Sequence, residues 1–178
     1  MNIKVKQLTL LATAGFLLAA CGQGKKEETT VATTTQETTA APKTVYSLED
    51  AQKAVFETVS VSGKDTVTLY YKDDVLLKQE TVEVYTLSQL EVENALEKLK
   101  NNATRTKEAL KDFIGKGFEY NTEHKGDIFT ITYSFDYTKI DLDKLKEKIP
   151  GLNLRDDKTL SYSEFKEALL KGGYKEKQ

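Results

Sequence analysis

Hydrophobic and polar positions alternate with period two through much of this 178-residue chain from about Tyr46 onward, and that alternation locates its strands. The clearest case is residues 128–137, where Phe129, Ile131, Tyr133, Phe135 and Tyr137 interleave with Thr130, Thr132, Ser134 and Asp136. Such a segment packs one face and wets the other. With residues 118–123 it reads as a hairpin about Lys125-Gly126-Asp127. Upstream, "VFETVSV" (55–61), "TVTLYY" (66–71) and "VLLKQETVEVY" (75–85) are rich in β-branched residues. Ser62-Gly63-Lys64-Asp65 and Lys72-Asp73-Asp74 between them read as turns. Within the third segment the apolar parity changes, from Val75 and Leu77 to Val82 and Val84. A bulge near Gln79 or Glu80 is expected to bring both pairs to one face.

The period lengthens between the third and fourth strands. Ser88 with Glu91 has the spacing of a capping box, and Val92, Leu96, Leu99, Ala103, Thr106, Leu110 and Phe113 then recur at steps of four and three. This predicts one long helix, ended by Gly115 and Gly117, whose apolar stripe lies on the aromatic face of the sheet. A coiled-coil seam could carry the same stripe, but the surrounding strands favour packing on a sheet. Two short helices follow, one over 141–149 stopped by Pro150-Gly151 and one over 161–171 stopped by Gly172-Gly173. The expected fold is α+β: a single domain over 46–178, with a largely antiparallel sheet of about five strands packed by one long helix and two short C-terminal helices. Roughly 130 residues suffice for one core.

The first 45 residues follow a different logic. Lys4 and Lys6 precede the uncharged run "LTLLATAGFLLAA" at 8–20, which is signal-peptide anatomy and is shorter than the roughly 20 residues a spanning helix needs. The run ends at Cys21, the only cysteine, so an intrachain disulfide is impossible. Leu18-Ala19-Ala20-Cys21 resembles the bacterial lipobox. That resemblance implies cleavage between Ala20 and Cys21, a diacylglyceryl group on the Cys21 sulfur, and anchoring on the extracytoplasmic side of the cell membrane by two or more acyl chains. Residues 22–44, dominated by threonine, alanine and small charged residues, cannot bury enough apolar surface to fold and read as a tether. Loss of the leader takes the formal charge from −2 to −4, so no basic field attracts nucleic acid.

Candidate chemistry is sparse. A single histidine, His124 at a hairpin tip, and no second thiol exclude a Cys–His dyad or a multi-histidine zinc site. A carboxylate-rich site of His124, Glu123 and Asp127 is weaker than the reading of an exposed turn histidine. "NLRDDKTLSYSEF" (153–165) has Asp157, Leu160 and Glu164 where a calcium loop has its fifth, eighth and twelfth positions. Arg155 takes a ligand position there and Lys158 the position of the turn glycine, so Ser161 and Glu164 read better as a capping box. Asp136, Asp141 and Asp143 cluster near Glu147, at a strand end and a helix start, where acids face water and the helix dipole. No Walker loop, nucleophile elbow or dinucleotide fingerprint occurs. No catalytic residue, metal ligand or cofactor is therefore expected.

The lipobox at Cys21, "TVTLYYKDDVLLKQET" (66–81), "YSFDYTKIDLDKL" (133–145) and "LLKGGYKE" (169–176) together resemble the YehR-like lipoproteins, a bacterial family of uncharacterised function. The resemblance implies a small α+β domain and lipidation, and carries over no catalytic or binding residues. The expected function is a non-enzymatic binding or interaction module of the cell envelope that takes a peptide, polymer or partner protein. The alternative is a small hydrolase built on Asp136, Asp141 and Asp143. The expected contact surface is the wet sheet face of Thr130, Thr132 and Ser134, with any exposed tyrosines among Tyr70, Tyr71 and Tyr120.

Overall fold

The computed structural model describes residues 46–178, so the leader, Cys21 and the tether lie outside the described residues. Six strands form one antiparallel sheet: β1 (Gln52–Ser60), β2 (Gly63–Lys72), β3 (Val75–Thr86), β4 (Phe118–Lys125), β5 (Ile128–Asp136) and β6 (Lys175–Lys177). Three helices accompany it: α1 (Ala95–Ala109), α2 (Leu142–Lys148) and α3 (Tyr162–Lys171). The strand order is β4-β5-β3-β2-β1-β6. The first three strands form a meander, α1 carries the chain away, and the β4–β5 hairpin returns to place β5 against β3. Sixth and last, β6 pairs with Val55–Glu57 of β1. It escapes a reading of the sequence because three charged, exposed residues carry no alternation; lysines on so short a segment suit an unguarded sheet edge.

Turn chemistry sets the hairpins. Lys72 pairs with Val75, and Asp73 and Asp74 between them both have positive φ, at 48° and 62°. A two-residue turn whose backbone twist matches the flanking strands requires that conformation. Ser60 pairs with Gly63, so the β1–β2 turn is only Val61-Ser62 and Asp65 lies within β2, inside the sheet and not in the expected turn. Glycine is obligatory at 63, since a Cβ there would stand 2.1 Å from the Val84 carbonyl oxygen.

The aromatic face of β5 lies where its alternation predicts. Phe129, Ile131, Tyr133, Phe135 and Tyr137 are buried and Thr132 is exposed. Asp136 departs from the pattern: it is buried, where a water-facing acid was expected. The long helix is shorter than its stripe. Ser88 sits in a 3-10 turn (Leu87–Gln89) and bonds Asp127 through its backbone N–H (2.8 Å) and its hydroxyl, while α1 begins only at Ala95, behind Asn94, which has positive φ and makes no side-chain cap. The expected capping box is thus replaced by a bond to the β4–β5 turn. Leu99 and Ala103 of α1, then Leu110 and Phe113 beyond it, are buried and preserve the stripe.

The α3 cap forms as its sequence predicts, with the Ser161 hydroxyl accepting from the Glu164 N–H at 3.2 Å. A second cap comes from far away in sequence. Asp74, in the β2–β3 turn, accepts from the Ser163 N–H at 2.7 Å, from the Ser161 hydroxyl at 3.2 Å and from Arg155. Burial pushes the Asp74 carboxyl up, but the Ser163 bonds and the Arg155 charge outweigh it and hold the acid below its usual range. Tyr71 stacks face to face on Tyr162 with ring centres 3.6 Å apart, fixing α3 over β2.

The expected bulge in β3 exists at a different place and acts in the opposite sense. Tyr70 faces Lys78 and Tyr71 faces Leu76, leaving Leu77 as the extra residue. A one-residue slip reverses every later side chain. Val84 is half-buried and Val82 exposed, whereas Gln79, Thr81, Glu83 and Tyr85 are buried.

Truncation in the core should be costly and on the wet face cheap. Leu99→Ala and Phe135→Ala are each expected to lose roughly 2–5 kcal/mol in urea unfolding, because each leaves a void, and Thr132→Ala within about 0.5 kcal/mol of wild type. Equal losses at all three positions would contradict the facing of β5.

Candidate functional site

Inverting β3 puts a polar row into the core. Asp65 of β2 faces Glu83 directly across the ladder, Val67 faces Thr81, and Leu69 faces Gln79. Asp65, Gln79, Thr81 and Glu83 are between 1% and 6% exposed. Buried polar groups must be hydrogen-bonded or they destabilise the fold, and tyrosines supply the partners. The Tyr85 hydroxyl donates to Glu83 Oε2 at 2.8 Å, with the Tyr133 hydroxyl at 3.4 Å from Oε1. Tyr137 donates to the Gln79 carbonyl at 3.0 Å, and the Gln79 amide donates to the Thr81 hydroxyl at 3.0 Å. The Tyr174 hydroxyl, just ahead of β6, lies 3.5 Å from Asp65. No buried side-chain nitrogen or oxygen among the described residues is left without a partner.

A cavity of about 60 Å³, counted as space open to the centres of water-sized molecules, lies above this row. Its floor is Gln79, Glu83 and Tyr85 of β3 with Ile131, Tyr133 and Phe135 of β5; its roof is Leu99, Asn102 and Thr106 of α1; Leu145, Ile149 and Leu152 close one side. Every lining residue is buried except Asn102, Thr106 and Tyr120, which therefore mark the mouth, between α1 and β4. Tyr120 and Thr106 border that mouth from β4 and α1. No lysine or arginine among the described residues lines the cavity.

Burial governs the acids. Removal from water pushes Glu83 up to about 7; the bond from Tyr85 opposes the shift and the neighbouring Asp65 charge adds to it. Asp65 is pushed up to about 6 by burial, against the bond with Tyr174. Facing carboxyls this close titrate as a pair. Burial also raises the hydroxyls of Tyr85, Tyr133, Tyr137 and Tyr174, and that of Tyr120 to about 12, so all stay protonated as donors at neutral pH.

The residues singled out from sequence are placed elsewhere. Asp136 pairs with Lys139 at 2.6 Å, Asp141 caps α2 and pairs with Lys144 at 2.9 Å, and Asp143 pairs with Lys158 at 2.5 Å. They form no shared site: each is held by its own lysine. His124 is exposed at the β4–β5 tip, 2.8 Å from the Gly126 carbonyl. Asp157 closes a local turn on Thr159, and Arg155 is spent on Asp74. No group of three or more metal-ligating side chains occurs among the described residues. Of the three tyrosines named as candidates for the wet face, Tyr70 is there, bonded to Glu80 at 2.9 Å; Tyr71 and Tyr120 are on the core face, against Tyr162 and at the cavity mouth. Sequence reasoning passed over Glu83 and Asp65. The signal that could have found them is the alternation Leu69, Val67, Asp65 along β2, which puts an acid in phase with core residues.

Folding takes up protons at this pair, because both acids hold them more tightly folded than unfolded. Their contribution is complete below about pH 4 and is withdrawn as pH rises through 6 to 7, by roughly 3 kcal/mol for Glu83. Asp74, Glu80 and Asp136 are lowered and act in the opposite sense, losing stability only at acid pH below the usual carboxylate range. The urea midpoint should accordingly be higher at pH 5 than at pH 8, and Glu83→Gln should narrow that gap by raising the midpoint at pH 8. A wild-type midpoint that rises from pH 5 to pH 8 would refute the assignment.

Comparison with known proteins gives the fold's relatives. The NMR structure of the Escherichia coli YehR protein is similar with a TM-score of 0.54 at 18% identity, covering 71% of this chain and 91% of that one. An NMR structure of a protein from Streptococcus pneumoniae TIGR4 aligns over 88% of this chain and 99% of that one, at 19% identity and a TM-score of 0.46. No curated protein matches the chain. A family model described as "Protein of unknown function (DUF1307)" matches residues 47–175, nearly the whole of the described domain. The chain belongs to this YehR-like family of proteins of unknown function.

Proposed function

We propose that the protein is a lipid-anchored, extracytoplasmic binding module of the cell envelope and that its ligand seat is the cavity between α1 and the β3–β5–β4 sheet. The observation that carries this reading is the cavity's construction: apolar walls of Leu99, Leu145, Ile149 and Leu152 over a few convergent polar groups, Glu83, Gln79 and the tyrosine hydroxyls, with an opening at Asn102, Thr106 and Tyr120. Small-molecule sites combine those features. The ligand is a small molecule, or the end of a larger one, that inserts a short alkyl group with a polar head. What favours binding over hydrolysis at Asp136, Asp141 and Asp143 is that each of these acids is spent on a lysine and a cap or turn.

Anchoring rests on the sequence at 18–21. Mass spectrometry of membrane-extracted protein should find a diacylglyceryl group on an N-terminal Cys21, and Cys21→Ser should abolish lipid labelling; an unmodified mature N-terminus elsewhere would overturn this part.

The cavity is tested by methyl NMR of the folded domain titrated with small amphiphiles such as 1-butanol. Saturable shifts concentrated on the methyls of Leu99, Ile131, Leu145, Ile149 and Leu152 are expected. Shifts confined to surface residues, or none, would make the cavity a hydrated void and overturn the proposal.

A further inference from the structure

Resting on the reading of the cavity as a ligand seat, we propose that its ligand presents an organic cation, a primary or methylated amine, whose charge is met by Glu83 and whose alkyl groups lie against the tyrosine and leucine walls. Three observations lead there. The first is sign. Among the described residues, the one charged group in the lining is the Glu83 carboxyl, 6% exposed, and none of their lysines or arginines lines the cavity to balance it. A buried carboxylate is retained at low cost only when it is paired and hydrogen-bonded. Its hydrogen bonds are present, from Tyr85 at 2.8 Å and more weakly from Tyr133 at 3.4 Å, and no lysine or arginine among the described residues pairs with it. An anionic ligand would add a second negative charge beside Glu83 and Asp65, and is disfavoured for that reason.

The second observation is the wall chemistry. Tyr85, Tyr120, Tyr133 and Tyr137 line the same space as the carboxyl, with Phe118 and Phe135 among them. Aromatic rings around an anion are the surroundings in which alkylammonium groups bind, through the ring quadrupole and the burial of their carbons. A hydrated inorganic cation would find too few oxygens: the remaining polar side chains are Gln79, Asn102 and Thr106, and the opposing walls are leucine and isoleucine. The third is size. A space of about 60 Å³ suits a small ammonium head with its alkyl groups.

The groups facing Glu83 fix how recognition varies with pH. They are Asp65 from β2, Tyr85 on its own strand, Tyr133 from β5, Tyr120 from β4 and Tyr174 ahead of β6; α1 offers only the uncharged Asn102 and Thr106. The tyrosines stay neutral, so Glu83 and Asp65 alone titrate near neutrality, at about 7 and about 6. An alkylammonium stays charged well above this range, with a pKa near that of lysine, about 10.4. Binding would favour the ionised carboxylate and release a proton below about pH 7, so affinity should rise between pH 5.5 and pH 8.

The test compares three probes of one shape, n-butylammonium, 1-butanol and butyrate, titrated into the wild-type domain and Glu83→Gln with cavity methyl shifts as the readout. Butylammonium is expected to bind the wild type at least about tenfold more tightly than 1-butanol at pH 8, with a preference that shrinks toward pH 5.5. In Glu83→Gln the preference should collapse to within about twofold. Because the pH series in the wild type needs no variant, the proposal stands or falls even if Glu83→Gln fails to fold. If 1-butanol shifts the cavity methyls but butylammonium gains nothing over it, or butyrate binds best, the cation assignment falls and the ligand seat survives. A preference that persists in Glu83→Gln likewise overturns the role of Glu83. If no probe reaches the cavity methyls, the seat itself is wrong, and this inference goes with it.

Discussion

One extra residue in β3 governs the interior of this protein. The ladder between β2 and β3 slips at Leu77, and every side chain from Lys78 onward is turned to the face opposite the one an unbroken strand would give it. Had the strand run straight from Leu76, Val82 and Val84 would face the helices and the core would be a dry aliphatic layer. With the slip, Gln79, Thr81, Glu83 and Tyr85 point inward, and the centre of the sheet carries a polar row, met by Asp65 on the neighbouring strand. The bulge is held from outside the sheet: the Leu76 N–H donates to the Leu160 carbonyl at 2.8 Å and the Tyr137 N–H to the Leu77 carbonyl at 2.9 Å, so the loop before α3 and the chain after β5 both bond to the irregular segment.

A polar row in a core survives only if each group is satisfied, and that requirement explains the tyrosines. Tyr85, Tyr133 and Tyr137 lie on or just beyond the strands β3 and β5 with their hydroxyls on Glu83 and Gln79, and Tyr174 approaches Asp65 from the segment before β6. Each ring buries apolar area while its hydroxyl reaches a partner, which neither phenylalanine nor a shorter polar side chain does. Phe118 and Phe135, with no polar group to serve, lie 4.7 Å apart at the β4–β5 side and complete the packing there. The short Asn102 and Thr106 of α1 stand over this floor where larger apolar residues would fill the space, and the gap is the cavity.

The acids divide into two populations by environment. Those with a lysine or arginine at hand, among them the exposed Asp141 and Asp143, the half-buried Asp74 and the buried Asp136, help to hold turns and helix starts in place. Glu83 and Asp65 have tyrosine hydroxyls and each other. Only the second population is raised toward neutrality, because burial penalises its charge with no cation to compensate. Perturbed acids at a cavity are where function concentrates, and here they lie apart from the carboxylates that sequence proximity brings together.

Most elements can be read from local sequence. Alternation in β5, the glycine stops and the Ser161–Glu164 cap are local, and local chemistry suffices to read them: a period-two segment with five large apolar residues has one face to bury, whatever lies above it. The stripe Leu99, Ala103, Leu110 and Phe113 is legible on the same ground. The start of α1 was not, since Ser88 could bond its own helix or Asp127 thirty-nine residues on, and only the folded chain brings Asp127 near. The facing of β3 was decided by tertiary structure alone. Its two halves have opposite apolar parity, so either phase buries two large side chains, and the choice rests on contacts with Leu160, Tyr137, Tyr133 and Asp65 that are remote in sequence. Glu83 and Asp65 read as surface residues because an acid's ordinary place is in water; what holds them inside is a set of tyrosine hydroxyls contributed by separate strands, and no linear pattern records that convergence.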